Sequence, residues 1–289
     1  MDNNRDKITN DAAPAVRKTA CDGCSEDRHR RTAAQAAPQV RVPTEEELAF
    51  LAEADKRLEP LTAEERLAWA VENYFPRLTM ATAFGPEGCL ILSLLAKIEP
   101  RVRVFNLDTG YQFQETIDTR NRIAEKYGIE VELAKPDQTV EEFEAAHGGP
   151  LYETDPDRCC FLRKIVVLRR EIVGYDAWIS GIRRDQSPHR ANAPIVGWDK
   201  KFGLVKLNPL ADWTKAQVWK RILDEGVPYN PLHDRGYPSV GCKPCTRPVL
   251  PGEDERAGRW SGRGKTECGL HLAEEPATDT QPPEKYSTL

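Results

Sequence analysis

The chain lacks the marks of a membrane protein: its longest apolar stretch, around Cys89 to Ala96, is far too short to span a bilayer. It also lacks a basic excess. Lys and Arg number 41 against 46 Asp and Glu, a net charge of −5, so a globally basic nucleic-acid surface is not indicated, while a local anion pocket is compatible with that balance. Internal repeats are absent, and the Phe84–Gly88 turn is not a Walker A loop, because no Gly-Lys-Ser/Thr directly follows it. Residues 1–43 offer no secretory h-region, being polar, Ala-rich and dotted with charge, so a cytoplasmic protein is expected. Without an export signal, the eight cysteines read as reduced, metal-bound or catalytic rather than as a disulfide framework.

What is present is a polar, disordered-type N-terminal segment (1–43) followed by an ordered pattern. Thr44 to Glu47 and Thr62 to Glu65 have the spacing of helix capping boxes. The chain then alternates. Strands are expected at Leu78–Ala83, Val102–Leu107, Ile129–Leu133 and Ala177–Ser180, and helices at Cys89–Ile98, Phe113–Tyr127, Val140–Ala146 and Phe161–Val173. That alternation predicts an α/β fold, a parallel twisted sheet flanked by helices. From Tyr229 onward glycine and proline are frequent and periodicity fades. The expected organisation is a nucleotide-binding α/β domain over 44–250 and a mobile C-terminal tail over 251–289 that covers the site.

Open parallel sheets bind ligands beyond the carboxyl ends of their strands. Three segments fall there. Phe84-Gly-Pro-Glu-Gly88 joins a strand to a helix; Gly85 and Gly88 let backbone approach an anion, and the helix N-terminus adds free N–H groups, with Phe84 and Glu87 in the same turn. Asp108, Thr109 and Gly110 could hydrogen-bond a ribose or a base, or form an ordinary turn. Ser180-Gly-Ile-Arg-Arg-Asp-Gln-Ser187, followed by Arg190, sets Gly181, Arg183 and Arg184 at a strand end, where guanidinium forks suit phosphate or sulfate oxygens; a solvated basic loop is the alternative.

The cysteines carry the sharpest signal. Cys159 and Cys160 are adjacent, Cys242 and Cys245 form Cys-x-x-Cys, and Cys268 stands apart in Glu-Cys-Gly-Leu-His271. Four thiols in two pairs can hold zinc or an iron–sulfur centre. Adjacent cysteines fit awkwardly around one small tetrahedral ion, whereas a cubane offers separate iron atoms, so the pattern favours a [4Fe–4S] cluster with structural zinc as the alternative. Lys164, one helical turn beyond Cys160, could set an ammonium near the thiolates. A thiol is nucleophilic only as thiolate and wants nearby cations. Arg256, Arg259, Lys265 and His271 offer them to Cys268, whereas Glu267 works against ionisation. Cys21 and Cys24, in the polar N-terminal segment, are set aside.

In this order the motifs closely resemble the assimilatory adenylyl-sulfate and phosphoadenylyl-sulfate reductases. The matching set is the loop at 84–88, Asp108-Thr-Gly-Tyr111, Cys159-Cys160-x-x-Arg163-Lys164, the Ser180–Ser187 segment, Lys206-Leu-Asn-Pro-Leu210, Gly241-Cys-x-x-Cys-Thr246, Arg256-Ala-Gly-Arg-Trp260 and Glu267-Cys-Gly-Leu-His271. The resemblance runs from roughly residue 60 to 271 and implies an adenine-nucleotide α-hydrolase-like fold, shared with ATP pyrophosphatases. Pro86 and Gly88 depart from the Ser-Gly-rich, Asp-ending loop of many relatives, which leaves anion binding to backbone amides.

Family members with both cysteine pairs typically carry a [4Fe–4S] cluster and use adenylyl sulfate, so the resemblance implies adenylyl sulfate as substrate. The 3′-phosphorylated form, or both, is the nearest alternative. It further implies Cys268 as nucleophile, an S-sulfocysteine intermediate and thioredoxin as electron donor, in sulfate assimilation and cysteine biosynthesis. Catalytic roles would fall to Cys268, His271, Lys164, Arg256 and Arg259, and cluster ligation to Cys159, Cys160, Cys242 and Cys245. No nucleic-acid or membrane partner is implied, and a homo-oligomer is left open. Two other classes fit part of the pattern: an ATP pyrophosphatase-like transferase with structural zinc, and a zinc-stabilised redox-sensing module in which Cys268 reacts without turnover.

Overall fold

A computed structural model describes residues 40–263, 265, 267, 269 and 270. Two helices open the fold, α1 (Glu45–Leu58) and α2 (Ala63–Tyr74), each started by the expected capping box: Thr44 and Thr62 accept from the N–H of Glu47 and Glu65, whose carboxylates reach back. There follow β1 (Leu78–Thr82), α3 (Pro86–Ile98), β2 (Arg103–Leu107), α4 (Gln114–Tyr127), β3 (Val131–Ala134), α5 (Val140–His147) and α6 (Leu151–Thr154). The chain continues through α7 (Pro156–Cys160), a π-helical turn (Phe161–Ile165), α8 (Val166–Glu171), β4 (Ala177–Ile179), β5 (Val196–Asp199), β6 (Leu204–Leu207) and α9 (Lys215–Asp224).

Among the described residues, six strands form one sheet in the order β3-β2-β1-β4-β6-β5, parallel except for β5, which runs antiparallel to β6. Side chains alternate between its faces. Val104, Ala177, Ile179, Val205 and Leu207 join a core with Leu67, Leu90 and Ile222 of the covering helices. Phe105, Trp178 and Leu204 point the other way and pack on Ile165, Leu168 and Ile172. The α/β architecture expected from the sequence is therefore present. No helix among the described residues is long and apolar enough to cross a membrane.

The structure adds elements where the sequence reading has none. β5 and β6 form a four-residue hairpin on the sheet edge, too short for a periodic signal, and α9 follows with its own capping box from Thr214 to Gln217. The helix expected at Phe161–Val173 starts earlier, because Asp155 caps the Arg158 N–H (2.9 Å) and Pro156 occupies the first helical position. After α9 the described residues hold only short 3-10 turns, at Pro231–Arg235 and Lys243–Cys245.

Arg66 locks the start of the fold to its later half. Fully buried, it gives Nε to Leu58 O (3.0 Å), Nη1 to Pro209 O (2.9 Å) and Asp212 Oδ1 (2.5 Å), and Nη2 to Glu59 O (2.6 Å) and Asp212 Oδ2 (3.0 Å). All five donors of the guanidinium are used.

Candidate active site

Strand order reverses between β1 and β4, and the loops leaving their carboxyl ends face each other there. An ideal Cβ on Gly181 would sit 3.1 Å from Glu87 Cβ and 3.5 Å from Gly88 N, so the β4 loop approaches the start of α3 as closely as glycine permits. The result is a large open cleft at the switch point, walled by Gly85–Gly88, Ser180, Gly181 and Arg183 on one side. Gly85 caps α3 without a side chain and Pro86 takes its first turn, so the exposed helix N–H groups are backbone only.

Charges in the cleft are largely matched. Arg183 is 4% exposed; its Nε donates to Glu87 Oε1 (2.8 Å) and its Nη1 pairs with Asp185. Its neighbour Arg184 goes elsewhere: Nη1 and Nη2 grip the Glu59 carboxylate (2.5 and 2.8 Å) and Nε donates to Ala193 O (2.9 Å). The expectation that both arginines face an anion thus needs correction, because successive residues leaving a strand diverge. Phe84, Asp108 and Gly110 also lie off the cleft wall. The Phe84 ring is core, its backbone in the left-handed region (φ 56°), and Asp108 turns back to accept the Gly110 N–H (3.0 Å). Thr109 does line the cleft, beside Gln112, which donates to Asn106 Oδ1 (2.9 Å) and Leu107 O (3.0 Å).

At its far end the cleft meets a smaller cavity. Cys159, Cys160, Cys242 and Cys245 all line that cavity, and Thr109, Lys164, Cys242, Arg259 and Trp260 line both. The adjacent cysteines end α7 and the π-helical turn follows at once, carrying Lys164; such turns recur at functional sites. Arg163, buried in the same turn, donates Nε to Thr109 O (2.6 Å) and stacks on Tyr111 and Phe143, which pins the 108–111 loop to the cysteine helix.

The thiols sense one another. Burial and then the neighbouring thiols push Cys159 up to about 12, and burial with Cys242 and Cys160 raises Cys245. At Cys242 burial again works upward, but the Lys164 ammonium, the Thr109 hydroxyl (3.3 Å from Sγ) and Arg259 outweigh it and hold the thiol below its ordinary value. Among the described residues no three His, Cys, Asp or Glu side chains converge tightly enough to hold a single metal ion. Four thiols lining one cavity suit a larger cationic group that offers a separate metal atom to each sulfur.

A strap closes the cysteine end. Thr246 bridges Arg259, the Arg247 N–H donates to Gly258 O (2.9 Å), and the Trp260 N–H donates to Cys245 O (3.0 Å). The tail boundary expected at residue 250 falls inside this strap. Trp260, with φ 47°, is buried against Cys160 and Cys245, and the Arg259 guanidinium stacks on it at 4.4 Å. Gly241 makes room: an ideal Cβ there would lie 2.1 Å from Arg259 Nη2. Arg256 and Arg259 both reach the cleft, with Arg190 and Glu267. Cys268 and His271 lie outside the described residues, as do Cys21 and Cys24.

Sequence reasoning missed Gln112, Trp219 and His233 as cleft residues. His233 lies in the short 3-10 turn at Pro231–Arg235, with no motif to flag it. Its Nδ1 meets Tyr237 O (2.7 Å), and burial lowers its pKa.

The profile of the phosphoadenosine phosphosulfate reductase domain matches residues 77–248. A Streptomyces coelicolor protein named adenosine 5′-phosphosulfate reductase is 48% identical over 229 residues, 79% of this chain and 96% of that one. A Bacillus pumilus protein of the same name is 47% identical over 206 residues, covering 71% and 88%. A Gloeobacter violaceus protein named phosphoadenosine 5′-phosphosulfate reductase is 45% identical over 219 residues, covering 75% and 91%. Among solved structures, phosphoadenylyl-sulfate reductase from Candida auris, a phosphate complex, superimposes with a TM-score of 0.62 at 34% identity, over 71% of this chain and 98% of that one. The fold is that of an α/β protein with a mostly parallel six-stranded sheet and a cleft at its switch point. The chain belongs to the adenosine phosphosulfate and phosphoadenosine phosphosulfate reductase family.

Proposed function

We propose that this chain reduces adenylyl sulfate to sulfite and AMP with electrons from thioredoxin. One observation carries the reading: Lys164, Cys242, Arg259 and Trp260 line both the switch-point cleft and the four-cysteine cavity, so a nucleotide's anionic end and a metal cluster would be neighbours. The names of the Streptomyces and Bacillus relatives favour the unphosphorylated nucleotide.

In this reading the Cys268 thiolate attacks the sulfur of the phosphosulfate, the S–O bond to phosphate breaks, and AMP leaves with the bonding pair. The enzyme is left with an S-sulfocysteine. A thioredoxin thiolate then attacks Cys268 Sγ and expels sulfite. The second thioredoxin thiol resolves the mixed disulfide, so two electrons and the balance of protons come from the donor. Lys164, Arg183, Arg256 and Arg259 would stabilise oxyanion charge, with the backbone amides of Gly85–Gly88 on the nucleotide phosphate. His271 remains a candidate to assist at Cys268. Cys159, Cys160, Cys242 and Cys245 would hold a [4Fe–4S] cluster, whose charge would offset the repelling thiolates and hold the local field around Lys164. A reducing cytoplasmic compartment suits this chemistry.

The test uses anaerobically purified full-length protein. Labelled adenylyl sulfate without thioredoxin should leave a covalent adduct on Cys268 that Cys268→Ser does not form, with turnover reduced by about four orders of magnitude or more. Sulfite production retained by that variant would overturn the nucleophile. The Gloeobacter relative's name favours a second reading, the 3′-phosphorylated substrate. The ratio of kcat/KM for the two nucleotides decides between them.

A further inference from the structure

By sequence alone Glu267 hinders ionisation of Cys268, its neighbour in the chain. The structure gives that carboxylate two guanidinium partners. Glu267 is 3% exposed, and its Oε2 accepts from Arg190 Nη2 and from Arg256 Nη2, each at 3.0 Å. The arginines come from separate places, Arg190 from the 3-10 turn after β4 and Arg256 from the strap. Gln186 Oε1 holds Arg190 from behind (2.5 Å).

Residues on either side are docked as well. Lys265 reaches the start of α7, at Pro156 O (3.0 Å) and Asp157 (2.7 Å). Lys201, in the β5–β6 turn, donates to Gly269 O, and Leu270 packs onto the core beneath the cleft. The three attachments fall at 265, 267 and 269 and grip three different parts of the body. The middle one is ionic, almost wholly buried, and one peptide bond from Cys268.

We propose that Glu267 is a positioning residue: its carboxylate, shared between Arg190 and Arg256, docks the Cys268-bearing segment at the cleft. The proposal rests on Cys268 being the nucleophile. Charge-assisted hydrogen bonds of this kind are about twice as strong as neutral ones, and an amide in place of the carboxylate leaves the buried Arg190 and the half-buried Arg256 guanidinium groups poorly matched. The competing role for the same contact is a placeholder, in which Glu267 occupies arginines that the substrate anion would otherwise claim.

Full-length wild type, Glu267→Gln, Glu267→Asp, Arg190→Gln and the double variant Arg190→Gln/Glu267→Gln are compared. Trypsin cleavage after Lys265 without nucleotide reads docking alone. The rate of adduct formation with labelled adenylyl sulfate reads positioning, and AMP affinity reads the cleft. Glu267→Gln should be cleaved roughly tenfold faster and form adduct about 10- to 100-fold more slowly, with AMP affinity within about twofold. Glu267→Asp should recover part of the loss, and the double variant should be no worse than its worse parent. Wild-type cleavage and adduct rates in Glu267→Gln, fully additive effects in the double variant, or tighter AMP binding with faster adduct formation would each overturn the proposal. If Glu267→Gln does not fold, Arg190→Gln decides the same question. A wild type that forms no adduct sinks the nucleophile, whereas Lys265 cleavage still reports on docking.

Discussion

The sheet and the strap are held together by different means. From α1 to α9, ladders and helices satisfy the backbone and alternating side chains fill two cores; single polar side chains matter at few points, Arg66 foremost. From residue 229 to 270 the described chain has only short turns, and side chains supply the fastening: Arg259 against Gly241 and Trp260, Arg256 and Arg190 on Glu267, Lys265 on α7. The first region therefore owes its stability to many small contributions. The second depends on a handful of charges, most of which (Arg190, Arg256, Arg259 and Glu267) also face the cleft.

Three substitutions probe that contrast. The largest effect is expected from Arg66→Ala in the first region. Removing the buried guanidinium leaves a cavity and three carbonyls without their donor, while Asp212, 38% exposed, keeps water; the cost should be about 2–4 kcal/mol of stability. Denaturant unfolding should show it, with kcat at 25 °C near wild type in the fraction that remains folded. A loss of kcat without loss of stability would erase the distinction. Gly241→Ala attacks the second region. Its methyl group collides with the Arg259 guanidinium, and displacing one stabilising cation should lower kcat/KM about tenfold or more, with an unfolding midpoint close to wild type. A large drop in stability there would mean the strap belongs to the core. The smallest effect falls to Thr62→Ala, which deletes a helix cap and should cost about 1 kcal/mol in unfolding experiments and nothing in kcat/KM.

The same contrast explains what could be read from the letters. Helix starts were legible where Thr-x-x-Glu spelled them, at Thr44 and Thr62; the same spelling at Thr214-x-x-Gln217 announces α9 but sits among unremarkable neighbours. β5 and β6 were not legible as strands, because four residues on an edge give too short a period and the antiparallel hairpin breaks the alternation of the preceding units. In the site, the glycine loop and the cysteine pairs could be placed by the strand-end rule and by their spacing. Which of two adjacent arginines faces the cleft could not: Arg183 and Arg184 are equivalent as letters, and only the turn after β4 sends one to Glu87 and the other to Glu59. The matching of Glu267 with Arg190, 77 positions earlier, has no local signal at all.

The wide turn at Phe161–Ile165 has a consequence for how this helix divides its labour. An α-helix of constant pitch keeps the same face toward the same neighbour every 3.6 residues. One extra residue in a turn shifts everything downstream by about 100° in phase. Cys159 and Cys160, before the turn, line the thiol cavity; Lys164, inside it, lines both chambers, and Leu168, beyond it, lines the cleft. A single continuous rod thereby addresses two chambers, with Lys164 in the turn between them.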